Sequence, residues 1–162
     1  MADDNKEQID TGCCPRFNPE PWQEKEIVLK DRMFVKDNVR TIFHIPFGFG
    51  RVMFRNIKKI MGAGAVTDDP LLLYRERSLW KAEVYIAVAK DVPNAKMEEI
   101  SGTFLTKVFE GSFGNSGKWI KEMDKYVKSK GKEPKKTYLY FTYCPKCAKA
   151  YGKNYTVVLA EV

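Results

Sequence analysis

The sequence predicts an α+β fold: two tandem strand-helix-strand-strand modules with pseudo-twofold symmetry, forming an antiparallel sheet with helices on one side and a ligand cleft on the other. Two observations predict it. The first is an internal repeat, because VFEGSFG (residues 108–114) follows IFHIPFG (residues 42–48) at an offset of 66 residues. The second is that each copy continues with apolar residues at helical spacing and then with two strand-like stretches.

The repeat divides the chain into an extended N-terminal segment, residues 1–23, and a ligand-binding domain, residues 24–162. Within the domain the first repeat covers about residues 24–92 and the second about residues 96–162. Three prolines in the stretch PRFNPEP exclude a helix and a central strand from the N-terminal segment. Its aromatic residues, Phe17 and Trp22, predict that it lies on the surface of the core.

The elements of the two repeats follow from local patterns. In the first, alternation predicts a strand or hairpin over EIVLKDRMFVKD and a further strand that stops at Pro46. Helical spacing predicts a helix over residues 50–65, and two strands follow as PLLLYRERS and AEVYIAVAK. In the second, a strand over residues 102–110 precedes a helix over residues 117–131 and two strands, TYLYFTYC and NYTVVLAEV.

A glycine-rich turn, EGSFGNSG, joins strand and helix in the second repeat. Glycine lets the backbone reverse sharply, and Asn115 or Ser116 is expected to cap the helix. A phosphate cradle is the alternative, because glycines before a helix N-terminus bind anions. The turn matches neither the Walker pattern nor the GxGxxG pattern of phosphate-binding loops. We therefore favour a structural role for its glycines, as a turn between strand and helix.

Composition restricts the class of protein. Hydrophobic content of 44% and charged content of 30% are typical of a globular domain, and no apolar run approaches the roughly 20 residues of a membrane span. The acidic start predicts a cytoplasmic protein. The net charge of +7 comes largely from a lysine-rich helix face without a nucleic-acid-binding motif. We therefore expect no nucleic acid or membrane partner, no cofactor, and a monomer or homodimer.

The cysteines form two pairs, Cys13-Cys14 and Cys144-Pro-Lys-Cys147. Tyr155 follows Glu83 by 72 residues, six more than the repeat offset, so the second pair falls in a loop inserted into the repeat. Adjacent cysteines are poor geometry for tetrahedral zinc, and a cytoplasmic setting disfavours a disulfide. Unpaired thiols are favoured, with a redox pair or a metal site at Cys144 and Cys147 as the alternative.

Alternation sorts the strand side chains into two faces. Val84, Ile86, Leu139 and Phe141 are expected under the helices, which leaves a carboxylate ringed by tyrosines on the opposite face. An aromatic pocket with one acid suits a planar or cationic organic ligand. The alternative is an ordinary amphipathic sheet surface. The candidate ligand-binding residues are Trp80, Glu83, Tyr85, Glu110, Trp119, Tyr138, Tyr140 and Tyr155.

The order of these motifs resembles the GyrI-like small-molecule-binding domain, which is related to the effector-binding domains of AraC-type and BmrR-type regulators. Gly111, Phe113 and Trp119 match the family's turn and early helical tryptophan, and LWKAEVYIAV resembles its acid-bearing strand with Glu83 at the acid position. The resemblance implies a cleft for hydrophobic, often cationic compounds. It also implies a relation to hydrolases that open the cyclopropane of DNA-alkylating natural products.

Three hypotheses follow. The first is a stand-alone protein that binds an aromatic or cationic small molecule at Glu83, whose pKa we expect to be raised in the empty cleft. The second is a hydrolase in which Glu83 acts as general base or general acid and Tyr85 orients the leaving oxygen. The third is a thiol or zinc function of Cys13, Cys14, Cys144 and Cys147.

Overall fold

The computed structural model describes residues 17–43, 45–143 and 145–162. The strands are β1 (Lys25–Ile42), β2 (Ile45–Phe47), β3 (Leu72–Glu76), β4 (Lys81–Ala87), β5 (Lys96–Glu110), β6 (Thr137–Phe141) and β7 (Tyr155–Glu161). The helices are α1 (Phe49–Gly62), α2 (Ser116–Ser129) and α3 (Pro145–Tyr151). None of the helices in these ranges is both long and apolar enough to cross a membrane.

The strands form one antiparallel sheet that closes on itself. The strand order is β1-β4-β3-β6-β7-β5, and β5 also pairs with β1, which closes the sheet. The short strand β2 pairs with the C-terminal end of β1. The order strand, helix, strand, strand occurs in both halves of the chain, interrupted by β2 in the first and by α3 in the second. The predicted α+β class is therefore confirmed, whereas the pseudo-twofold symmetry stays a prediction.

Both long helices pack on the outer face of the sheet. Val52 of α1 and Trp119, Met123 and Val127 of α2 share a buried cluster with strand residues that include Val84, Leu139 and Val158. The inner face, which is turned away from α1 and α2, carries a second cluster with residues from β1 and from β3 to β7. Strand alternation is thus confirmed: Val84 and Leu139 lie under the helices, and Tyr85 and Tyr138 lie on the inner face.

The strand predicted to stop at Pro46 is built differently. β1 runs as one long strand to Ile42, and the chain turns back at Phe43, whose φ is 47°, so that Pro46 lies within β2 opposite Thr41. Proline is tolerated there because β2 is an edge strand with no further neighbour. The break predicted between Asp37 and Val39 is wrong, because β1 continues through these residues. An irregularity in the pairing of β1 with β5 lies elsewhere, between Leu29 and Arg32.

The glycine-rich turn is held by its neighbours rather than by the expected caps. Gly111 has a φ of 134°, a conformation that other residues rarely adopt, and it exchanges hydrogen bonds with Asn154 through its N–H and carbonyl. Ser112 accepts the N–H of Gly114 at 3.4 Å, whereas the side chain of Asn115 makes no cap hydrogen bond. The prediction that Asn115 caps α2 is therefore wrong.

The inserted stretch forms a helix, so the prediction of a loop is wrong for residues 145–151. α3 spans Pro145–Tyr151, and Cys147 within it is fully buried. Cys13, Cys14 and Cys144 lie outside the described residues. The thiol and metal hypothesis consequently stays a prediction.

Candidate functional site

Glu83 and Tyr85 form the centre of the candidate site. Two residues apart on β4, they point to the same face of the sheet, where they are 6% and 3% exposed. The Tyr85 hydroxyl donates a hydrogen bond of 2.6 Å to Glu83 Oε2, and Lys36 Nζ lies 3.5 Å from Oε1. β1 brings Lys36 there because it is the register partner of Tyr85. The carboxylate therefore has a hydrogen-bond donor on one oxygen and a cation on the other.

The pKa of Glu83 corrects the sequence-based expectation. Burial raises the pKa of this carboxyl, but the hydrogen bond from Tyr85 and the positive charges of Lys36 and Arg77 outweigh burial and hold that pKa below its ordinary value. The expected raised pKa is therefore wrong. Burial and the neighbouring Glu83 carboxylate raise the pKa of Tyr85, so its hydroxyl keeps its proton at neutral pH.

Charged side chains and rings surround this pair at one end of the inner face, which we call the charged end: Glu83, Tyr85, Lys36, Arg75, Tyr138 and Glu98. Lys36 also lies 3.6 Å from Glu98 Oε2 and 5.6 Å from the centre of the Tyr85 ring. The Arg75 guanidinium lies 6.0 Å from the centre of the Tyr138 ring, and that ring meets Tyr85 edge to face at 5.6 Å. Burial raises the pKa of Tyr138, so it too stays neutral.

The N-terminal segment covers the opposite end of the inner face. The Phe17 ring lies 5.7 Å from that of Tyr155, and the Trp22 ring lies 5.5 Å from that of Tyr140. Two polar contacts anchor this cover: Phe17 N–H donates to the Tyr143 hydroxyl at 2.7 Å, and the Thr106 hydroxyl donates to the Trp22 carbonyl at 2.6 Å. The rings of Tyr140 and Tyr155 thus pack against aromatic residues of the N-terminal segment.

Three other residues of the predicted set lie away from this group. Trp119 is 4% exposed and stacks on Phe109 at 5.8 Å in the outer cluster. Trp80 is 56% exposed in the turn between β3 and β4. Glu110 is exposed at the end of β5, opposite Tyr155. The structure therefore brings together Glu83, Tyr85 and Tyr138 but not the tryptophans.

Sequence reasoning missed Lys36 and Arg75. Alternation places Lys36 on the same face as Phe34, and this cation beside a buried apolar residue was an available signal. Arg75 is placed on the strand next to Glu83 only by the register of β3 with β4, where the two residues are partners. Cross-strand register depends on tertiary pairing, so the sequence alone did not reveal this neighbour.

Two cavities adjoin the charged end: Arg75 lines one of them and Lys36 lines the other. One of about 310 Å³ is lined by residues of β3, β6 and α2, including Tyr74, Arg77 and Ile120. The other, of about 370 Å³, adjoins the ion pair of Asp37 with Arg55 at 2.6 Å. Glu83 lines neither cavity. The predicted pocket is thus closed around Glu83 in this conformation.

Comparison with solved structures shows the fold. The C-terminal domain of EcmrR superposes with a TM-score of 0.66 at 10% identity, covering 86% of this chain and 96% of that domain. Two structures of hydrolases from Listeria innocua give TM-scores of 0.60 and 0.58 at 13% and 14% identity, each covering 86% of this chain and 92% of the other. The chain therefore has a GyrI-like fold.

Sequence comparison shows the family. Among proteins with curated functions, none matches the chain significantly. The model of the family described as "Bacterial hydrolase" matches residues 3–162, nearly the whole chain. The chain belongs to the bacterial hydrolase family.

Proposed function

We propose that the chain is a hydrolase that adds water to strained, electrophilic small molecules, with Glu83 as general base. The observation that carries this proposal is the buried Glu83 carboxylate, which accepts a 2.6 Å hydrogen bond from Tyr85. Because its pKa is lowered, this carboxylate is ionised at neutral pH and is ready to accept a proton. Membership of the bacterial hydrolase family supports the same reaction class.

The substrate class follows from the resemblance to hydrolases that open cyclopropanes. In the proposed step Glu83 takes a proton from water while the water oxygen bonds to a ring methylene. The ring carbon–carbon bond breaks, and its electron pair moves onto the oxygen of a conjugated carbonyl. Tyr138 donates a hydrogen bond to that oxygen, because it keeps its proton at neutral pH, whereas Tyr85 already donates its single hydroxyl proton to Glu83. Solvent completes the protonation of the product.

Access to Glu83 requires movement at the charged end. Tyr85 and Tyr138 are each 3% exposed, and Lys36 lies beside the carboxylate. The opposite end is covered by Phe17 and Trp22. We therefore place substrate entry at the charged end, where Lys36 must leave Glu83 before a ligand reaches it.

The test is an assay for product that has gained one water, using an electrophile with a cyclopropane conjugated to a carbonyl and mass spectrometry as readout. Glu83→Gln should lower the rate by about 10²–10⁴-fold, the usual contribution of a general base. Glu99→Gln is the matched control, because Glu99 is an exposed carboxylate on β5. A Glu83→Gln protein that is folded and as active as wild type would rule the mechanism out.

Binding without turnover is the second candidate, and a specific contact favours it. Lys36 Nζ already lies beside both the Glu83 carboxylate and the Tyr85 ring, an arrangement that also suits a ligand cation. A planar aromatic cation at 100 times its dissociation constant should stabilise the protein by about 2.7 kcal/mol. Saturable binding that is lost in Glu83→Gln, with no product from any electrophile, would select this candidate.

A further inference from the structure

The sheet opens between β3 and β6 beside the charged end, and Arg75 of that group also lines the opening. These strands pair at only two positions, Leu73 with Tyr140 and Tyr74 with Leu139. Beyond them Arg75 and Glu76 pair with β4, while Thr137 and Tyr138 pair with β7. The cavity of about 310 Å³ lies where the two strands part, beside Ile120 of α2.

The charges around this cavity are mostly positive. Four cationic side chains and a single carboxylate, that of Glu76, line it. The cations are Arg75, Arg77, Lys135 and Lys136. In the part of the chain that the structure describes, none of the four has an ion-pair partner within 4.0 Å. Such a set of unneutralised cations attracts anions.

The wall of the cavity next to α2 adds apolar surface and a hydrogen-bond donor without an acceptor. Ile120 and Leu139 line the cavity together with Tyr74. Tyr74 is 5% exposed, and its buried hydroxyl has no hydrogen-bond partner among the described residues. Burial and the charge of Glu76 raise the pKa of Tyr74 to about 12, so the hydroxyl keeps its proton. A buried donor without an acceptor is costly, and a ligand oxygen would satisfy it once the cavity wall moves to expose the hydroxyl.

We infer that this cavity is a binding site for an organic anion. The phosphate or carboxylate binds the four cations, and the apolar body packs against Ile120 and Leu139. A bare inorganic ion would leave most of the volume and the apolar wall unused. Glu83 does not line the site, although Arg75 belongs to the charged end and Arg77 helps to lower the pKa of Glu83. Anion binding at this cavity goes beyond the proposed hydrolase activity and does not depend on it.

The experiment is calorimetric titration with phenyl phosphate, compared with benzyl alcohol as a neutral ring compound and with inorganic phosphate. Wild type should bind phenyl phosphate saturably and more tightly than either comparison compound. The double substitution Lys135→Gln/Lys136→Gln should weaken binding roughly tenfold or more, because it removes charge-assisted contacts. Tyr74→Phe should weaken it by roughly threefold to tenfold, the effect of one hydrogen bond.

The control Lys121→Gln/Lys125→Gln removes the same charge from exposed positions of α2 and should bind as wild type does. Tyr74→Phe also separates binding from structure: loss of an unsatisfied buried hydroxyl should leave the melting temperature unchanged or raised. The inference is overturned if both lysine pairs weaken binding equally, or if benzyl alcohol binds as well as phenyl phosphate. Retention of binding in Glu83→Gln is expected and keeps this test independent of the hydrolase assay.

Discussion

The hydroxyl of Tyr85 donates a 2.6 Å hydrogen bond to Glu83 Oε2, and both side chains are almost fully buried. The hydrogen bond and the neighbouring cations keep a buried acid ionised, where burial alone would favour its neutral form. A carboxylate in this state is suited to accept a proton or to pair with a cation. It is not suited to donate a proton at neutral pH.

The first prediction concerns stability and pH. Because the folded-state pKa of Glu83 is lowered, its contribution to stability is present above the ordinary value of 4.5 and is lost as pH falls through the folded-state pKa. Glu83→Gln should cost about 1–3 kcal/mol near neutral pH, and its difference from wild type should shrink below pH 4.5. Urea unfolding across this range measures both. A difference that grows on acidification would contradict the lowered pKa.

The second prediction concerns the pH dependence of the proposed reaction. A general base must be deprotonated, so kcat/KM attributable to Glu83 should stay level through neutral pH and fall only below about pH 4.5, the ordinary pKa. Steady-state rates from neutral to acidic pH provide the measurement. A rate that rises on acidification toward the pKa of Glu83 would instead assign it the role of general acid.

The third prediction concerns Lys36, which lies 3.5 Å from Glu83 and 3.6 Å from Glu98. Lys36→Met removes this cation from two carboxylates and should destabilise the protein by about 2–3 kcal/mol. The same change should tighten the binding of acridine orange, because the planar cation no longer competes with the ammonium group.

Unfolding and fluorescence titration measure the two effects of Lys36→Met. Lys30→Met, at an exposed position of the same strand, is the control and should change neither. Weaker dye binding in Lys36→Met would show that Lys36 does not compete for Glu83.

The fourth prediction concerns the cover formed by the N-terminal segment. Trp22 is half-buried against Tyr140, so Trp22→Ala should cost about 2 kcal/mol, less than a fully buried tryptophan. Trp80→Ala is the matched comparison, because Trp80 is 56% exposed, and should cost less than about 1 kcal/mol. Equal losses in the two variants, measured by chemical unfolding, would show that residues 17–22 do not stabilise the core.

The faces of the strands could be predicted because alternation is a local property. Val84 and Tyr85 are neighbours in sequence, and the pleat alone sends them to opposite sides of the sheet. The same reasoning separated Tyr138 from Leu139. The prediction that a strand stops at Pro46 was wrong. Proline breaks a central strand but not an edge strand, and whether a strand lies at an edge depends on the whole sheet.

The site was predicted in part for the same reason. Glu83, Tyr85 and Tyr138 share a face by alternation and meet in space, whereas Trp119 packs between sheet and α2. An early helical tryptophan looks alike whether it contacts a ligand or the core. The pKa of Glu83 was predicted in the wrong direction because neither the hydrogen bond from Tyr85 nor the neighbouring charge of Lys36 was recognised.

The sequence by itself determined the α+β class, the order of strands and helices apart from β2 and α3, and the faces of β4 and β6 on which their residues lie, because these depend on local periodicity. Only the tertiary structure decided that β1 pairs with both β4 and β5, closing the sheet. The pairing of β1 with β4 places Lys36 on Glu83, and the pairing of β3 with β6 places Arg75 over Tyr138. These neighbours set the charge state of the site. The physical reason is register: residues distant in sequence become neighbours only through strand pairing, and the electrostatics of a buried acid depend on those neighbours.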